Sequence, residues 1–208
     1  MSFSDKGTMP EFVASLRAVQ GSVSAWETKA LFLARLLRDL GGGKVPFTPQ
    51  AVSAAEMALE SVKLPTDGGE TGALMRWAKA RRGGSGTSGP PVYRVEAAQK
   101  MKGASAKELL AEILEASKLL SGLWSYVDEV GESVALMIAK PSPDEALVAR
   151  EAYAYLDGLL GYYTTLRAVY VLVRALAAGK SPAKGVVVRE HSQALTSLAS
   201  AVGIHLHA

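Results

Sequence analysis

The chain has 208 residues, enough to bury a core without help from disulfides or a structural metal. It contains no cysteine, which excludes disulfide scaffolds, zinc thiolate sites, iron–sulfur clusters and a catalytic thiol. Lysine and arginine number 23 against 20 aspartates and glutamates, a formal charge of +3 whose meaning lies in how it is distributed.

Asparagine is absent and glutamine is confined to Gln20, Gln50, Gln99 and Gln193. Depletion of thermolabile amides is what a thermophile favours, and a GC-rich genome produces the same bias. Residues 1–6 lack the apolar core and cleavage site of a secretory signal, so a cytoplasmic location is expected. The most apolar stretches, residues 119–139 and 156–178, carry Asp128, Glu129 and Glu132 or Asp157, Arg167 and Arg174. Such charges are expensive at the centre of a bilayer, so both stretches are expected to be buried helices and no membrane insertion is expected.

Taken from the N-terminus, the first apolar stripe is Trp26, Ala30, Leu33, Leu37 and Leu40, stopped by Gly41-Gly42-Gly43. It predicts a helix over residues 24–40. Val45-Pro46-Phe47 reads as a short extended piece. Thr48-Pro49 caps a second helix reaching residue 63, which Pro65 and Gly68-Gly69 end. A third helix is expected over residues 70–82. Residues 83–91 form an uncharged glycine, serine and proline loop that leads into the β-prone run Val92-Tyr93-Arg94-Val95. This loop is the best boundary in the chain and divides it into residues 1–95 and 96–208.

Beyond it, apolar residues alternate three and four apart along two arms, as packed helices require. The first arm carries Leu109, Ile113, Ala116, Leu120, Leu123, Val127, Val130, Val134 and Met137. The second carries Val148, Ala152, Tyr155, Leu159, Tyr162, Leu166, Val169, Val173 and Leu176. These spacings predict a long antiparallel helical hairpin over residues 105–178, turning at Lys140-Pro141-Ser142-Pro143. Ser105 with Glu108 makes a capping box for the first arm. Ser142, followed by Pro143, Asp144 and Glu145, is the expected start of the second. Gly122, Gly131, Gly158 and Gly161 weaken a helix by about 1 kcal/mol each relative to alanine and are read as small residues at crowded crossings. Gly179 and Pro182 end the second arm. A last helix over residues 186–202 places Val188, His191, Leu195, Leu198 and Val202 on one face. The fold class expected is all-α, with an N-terminal helical cluster and a C-terminal hairpin or bundle.

Charge is segregated along this plan. Arg76, Lys79, Arg81, Arg82, Arg94, Lys100, Lys102 and Lys107 face Glu96 alone, whereas residues 108–157 hold three basic and ten acidic residues. A block of eight cations sets up a field that attracts phosphates. Pairing with the acidic arm or an ordinary solvated face explains the same block without a ligand.

The order of elements from Trp26 to Val95, helix, extended piece, helix, turn, helix, glycine-rich loop and β-prone run, resembles a winged-helix DNA-binding domain. The resemblance implies that the third helix enters the major groove with Arg76, Lys79, Arg81 and Arg82, and that residues 83–95 form a β-hairpin wing. A plain three-helix cluster with a basic edge accounts for the same order. On the second arm, Tyr163, Arg167, Tyr170 and Arg174 share one stripe and resemble the stacking and phosphate-binding surface of single-strand binders. Tyrosine bodies completing the core with arginine stems reaching outward give the alternative.

Enzymatic signals are weak. Gly41-Gly42-Gly43-Lys44 lacks the flanking residues of a phosphate loop, and Gly83-Gly84-Ser85-Gly86 follows a basic helix where a dinucleotide fold needs a strand. The histidines, His191, His205 and His207, have no cysteine or acidic cluster beside them, so no metal or other cofactor is expected. The sequence therefore points to a non-enzymatic nucleic-acid-binding protein, for DNA or RNA, whose hairpin serves self-association or docking and makes a homo-oligomer. The alternative is a structural assembly subunit of a filament or virion, using the same charged surfaces between copies.

Overall fold

A computed structural model describes residues 3–4, 6–46, 48–62, 69–84, 89–179 and 186–206, with side chains for all of these except residues 26 and 186–192. The described residues are largely helical and contain no strand, so the chain is all-α. The helices are α1 (Met9–Gly41), α2 (Pro49–Ser61), α3 (Glu70–Arg81), α4 (Val95–Lys100), α5 (Ala106–Ile138), α6 (Glu145–Gly179) and α7 (Val186–Ala201).

α1 begins well before the expected residue 24. Thr8 and Glu11 form a capping pair: the Thr8 amide donates to Glu11 Oε2 at 2.7 Å and the Thr8 hydroxyl at 3.0 Å. From there Phe12, Leu16, Val19 and Val23 continue the buried stripe into Ala30, Leu33, Leu37 and Leu40. At its other end Gly43, at φ +70°, completes a Schellman motif. The Lys44 amide donates to the Asp39 carbonyl at 2.9 Å and the Gly43 amide to that of Leu40 at 3.2 Å. The Val45 amide also returns to the Asp39 carbonyl at 3.2 Å, so Val45 belongs to this turn and not to an extended piece, while Phe47 lies outside the described residues.

The Thr48 cap is as expected, its hydroxyl accepting from the Ala51 amide at 3.1 Å, but α2 ends at Ser61. The β-prone run at residues 92–95 forms no strand. Val92, Tyr93 and Arg94 are irregular and Val95 opens α4, because the Tyr93 amide donates to a side chain, Thr165 Oγ1, at 3.1 Å and has no ladder to join. The loop residues 85–88, and with them much of the expected wing, lie outside the described residues.

The capping box of α5 is present in both directions. The Ser105 amide donates to Glu108 Oε2 at 2.7 Å, and the Glu108 amide to the Ser105 hydroxyl at 3.3 Å. α6 starts later than expected, with Asp144 and not Ser142 as its cap. Asp144 Oδ1 accepts from the Leu147 amide at 3.0 Å, and a carboxylate suits the positive end of the helix better than a hydroxyl. In α7, Leu195 and Ala199 are buried but Leu198 is 60% exposed, so the expected face is displaced by one residue there. The side chains of Val188 and His191 lie outside the described residues, as does Pro182.

The chain divides into two compact units, each made of three stretches. The first comprises Met1–Ala25, Leu64–Pro91 and Ser121–Tyr163, and the second Trp26–Lys63, Val92–Leu120 and Thr164–Ala208. In the first unit Trp77 of α3 stacks on Phe12 of α1 with ring centroids 3.9 Å apart, and its indole N–H donates to the Gly7 carbonyl at 2.8 Å. Phe3 meets Phe12 edge-on at 5.8 Å. Arg17 of α1 donates to the Ile138 carbonyl at 3.2 Å, which satisfies an end carbonyl of α5, whose last turn has no basic residue of its own. Gly131 lies under the Tyr155 ring and Gly158 against Tyr126 and Val127, the crowded crossings expected of them. Gly122, by contrast, faces open space.

In the second unit α2 presents the fully buried face Ala51, Ala54, Ala55 and Ala58, and packs on α7. Small side chains permit that close approach. Gly41 abuts Ile113, leaving no room for a β-carbon. All nine stripe residues of the second arm are buried, as are Leu109, Ile113, Ala116, Leu120, Leu123, Val127 and Val134 of the first, whereas Val130 and Met137 are half-buried. Among the described residues no helix is long and apolar enough to cross a membrane.

Candidate nucleic-acid interface

The basic residues 76–107 fall in both units, and the two groups have different surroundings. In the first unit α3 buries Thr71, Ala73, Leu74, Trp77 and Ala78, which turns Arg76 and Lys79 outward. Arg81 and Arg82 do not project freely. The Arg81 guanidinium lies 4.4 Å above the Trp77 ring and reaches Glu145 at 2.9 Å. That of Arg82 lies 4.2 Å above the Tyr153 ring. Both arginines therefore contribute to packing, through cation–π contacts with the Trp77 and Tyr153 rings.

Arg82 and Tyr153 also line a small cleft of about 220 Å³ with Tyr126, Arg150 and Glu151. Arg150 is paired with Glu151 at 3.0 Å. Burial raises the Tyr126 phenol above its ordinary range, and the charges of Asp157, Glu151 and Glu129 raise it further.

The second unit carries Arg94, Lys100, Lys102 and Lys107, all exposed, with Glu96 the one acid among residues 94–107. Arg94 precedes α4, a helix of six residues of which Ala98 is the buried one. Gly103, at φ +88°, lets the chain turn between Lys102 and the Ser105 cap of α5. Lys107 then stands in the first turn of α5, where the helix dipole already makes the potential positive. A cation there opposes the dipole by roughly 0.3–1 kcal/mol, so stability does not account for its presence. Beside this turn a groove of about 490 Å³ runs between Gly103, Ser105 and Leu109 on one side and Ala175, Leu176 and Gly179 on the other.

Tyr93, which the sequence reading passed over as part of a β-prone run, is the anchor of this segment. Its hydroxyl donates to Glu112 Oε2 of α5 at 2.5 Å while its amide holds Thr165 of α6. Burial, the hydrogen bond and the charge of Glu112 together push the phenol up to about 12. Thr165 is fully buried, and its hydroxyl oxygen accepts from the Tyr93 amide.

The expected stripe on α6 is split between the units. Tyr163 is half-buried in the first, and Arg167 is exposed in the second. Tyr170 and Arg174 converge on Glu56 of α2: the Tyr170 hydroxyl donates to Glu56 Oε1 at 2.6 Å and the Arg174 guanidinium donates to the same oxygen. Burial, then the charge of Glu60, raises the Tyr170 phenol above its ordinary range. These two side chains thus contact α2, and Arg174 remains exposed. Among the described residues no group of three or more histidine, aspartate or glutamate side chains is placed to hold a metal. His205 is exposed, and His207 lies outside the described residues.

Comparison with protein-family models, with curated proteins and with solved structures returned no match.

Proposed function

We propose that this chain binds nucleic acid without catalysing a reaction on it, and that the binding segment is residues 94–107 in the second unit. What carries the reading is one observation. Arg94, Lys100, Lys102 and Lys107 are all exposed within a short stretch holding a single acid, and Lys107 sits where a helix disfavours a cation. Release of counterions from phosphates makes such a cluster favourable for a polyanion. Arg76 and Lys79, exposed on α3, supply a separate basic face in the first unit. Arg81 and Arg82 belong to packing, so α3 has fewer groups for a groove of DNA than its sequence suggests.

In this reading α5 and α6 form a hairpin that serves docking or self-association. Its support is the pairing of Trp124 with Tyr162, of Val127 with Gly158 and of Gly131 with Tyr155, in which one position falls as the other rises. Leu136 on α5 and Leu198 on α7 are 73% and 60% exposed. They favour a second reading, a structural subunit of an assembly such as a filament or virion, in which these side chains meet other copies.

Fluorescence anisotropy with labelled DNA and RNA across a salt series, with light scattering in parallel, separates the two. The nucleic-acid reading expects an affinity that falls steeply with salt. Absence of binding at low salt, together with oligomers that dissolve as salt rises, would establish the structural reading in its place.

A further inference from the structure

We infer that Tyr93 is the positioning residue of the basic segment, holding Arg94 and α4 in place through its amide on Thr165 and its hydroxyl on Glu112. The inference rests on the nucleic-acid reading above and adds to it how the binding segment is held.

At six residues, α4 is far below the roughly 12–15 at which an isolated helix becomes even marginal in water. Its buried anchor is Ala98 alone, whose methyl group offers little area. α4 therefore takes its position from its ends. Downstream the end is fixed by the Ser105–Glu108 box, with the turn at Gly103 between. Upstream it is fixed at Tyr93, one residue before the N-cap Arg94. The amide bond at 3.1 Å and the hydroxyl bond at 2.5 Å reach two different long helices, α6 and α5. A residue tied to two helices at once can neither slide nor rotate. The first amides of α4 then close on Arg94: the Ala97 amide donates to its carbonyl at 3.1 Å and that of Ala98 at 3.3 Å.

Loosening Tyr93 leaves every cation in the segment but lets it wander, so that binding must order it. Affinity should fall while the number of phosphates neutralised stays the same. That separates a positioning residue from a phosphate ligand, because removing a ligand lowers the salt slope.

The test uses the full chain with Tyr93→Phe, which removes the hydroxyl alone, beside Lys100→Ala as the ligand control. Thr165→Val, which removes the acceptor of the amide bond, serves as an independent second variant. Kd for a labelled oligonucleotide is measured over a salt series, and exchange of the Tyr93, Ala97 and Ala98 amides by NMR. Y93F is expected to exchange faster at these amides and to raise Kd by about fivefold, equivalent to ~1 kcal/mol, with an unchanged salt slope. T165V should behave the same way, and K100A should lower the slope by about 0.7 for single strands or about 0.9 for duplex. Wild-type exchange or wild-type Kd in both Y93F and T165V overturns the inference, as does a fall in slope like that of K100A. Failure of the wild-type chain to bind at low salt overturns the nucleic-acid reading and the positioning role together. Wild-type binding matched by both variants overturns the positioning role alone.

Discussion

Arg82 lies over the Tyr153 ring, its guanidinium carbon 4.2 Å from the centroid, and Arg81 lies over Trp77 at 4.4 Å while bridging to Glu145. A guanidinium spread over a ring and half removed from water is a packing element as much as a charge. Replacing either arginine by alanine should lower stability by about 0.5–1 kcal/mol, read as a lower urea midpoint. The same variants should leave the salt slope of nucleic-acid binding as it is in the wild type. A reduced slope would return these arginines to the interface.

Trp77 is nearly inaccessible, stacked on Phe12 and hydrogen-bonded to the Gly7 carbonyl. It fastens α3 to α1, so Trp77→Ala removes an aromatic pair and leaves a cavity. The expected loss is about 3–5 kcal/mol in denaturant unfolding. A loss below about 1 kcal/mol, the range of ordinary surface changes, would mean that α3 is held elsewhere.

Three glycines make an ordered series within helices. Gly122→Ala meets open space and should raise stability by about 0.5–1 kcal/mol through helix propensity alone. Gly158→Ala gains the same propensity but brings its methyl group to 3.0 Å from Val127 and 3.1 Å from Tyr126, so it should fall below Gly122→Ala. Gly41→Ala drives a methyl group into buried Ile113 and should destabilise by about 1–3 kcal/mol. Thermal melts of the three variants check the order, and any other ranking contradicts the packing described.

Two pH windows follow from the hydrogen-bonded acids. The Tyr93 phenol is pushed up to about 12 from an ordinary 10, so the folded chain holds this proton more tightly than the unfolded chain. Its contribution is whole below the ordinary tyrosine range and is lost as pH rises through about 12. Ultraviolet titration of tyrosinate should show, among the phenols held above the ordinary range, a group near 12 that disappears in Tyr93→Phe and moves down in Glu112→Ala. At the acid end, hydrogen bonds from the Thr8 amide and hydroxyl lower Glu11, and those from the Ser105 hydroxyl and amide lower Glu108. These contributions are present above the ordinary carboxylate range and fade as pH falls through the lowered values. Ser105→Ala should therefore destabilise more at neutral pH than in strong acid, where only the bond from the Glu108 amide to the Ser105 hydroxyl is left to lose, as thermal melts at the two pH values will read.

Much of the helical plan was legible because period and caps are local signals. The stripe of the second arm needed only spacing to be read, and the Ser105–Glu108 box only two residues three apart. The first half of α1 went unread because Gly21, Ser22 and Ser24 interrupt the apolar pattern, although Phe12, Leu16, Val19 and Val23 carry it through. Asp144 was missed as a cap because Ser142-Pro143 offers the same signal two residues earlier. The candidate site was less legible. Tyr93 finds its partners 19 and 72 residues away, and Tyr170 finds Glu56 at a separation of 114, distances over which sequence pattern carries no pairing information. The charge of residues 76–107 was visible, but which cations are taken up by rings and carboxylates depends on such partners.

The salt dependence of binding by the variant Arg94→Ala, Lys100→Ala, Lys102→Ala, Lys107→Ala, set beside that of Arg76→Ala, Lys79→Ala, decides which segment meets the nucleic acid. If residues 94–107 are the binding segment, the fourfold variant should lose most of the slope, about 0.7–0.9 for each phosphate contact removed. The twofold variant should lose little. A fourfold variant that keeps the wild-type slope, while the α3 variant loses it, would contradict the account and move the interface to the first unit.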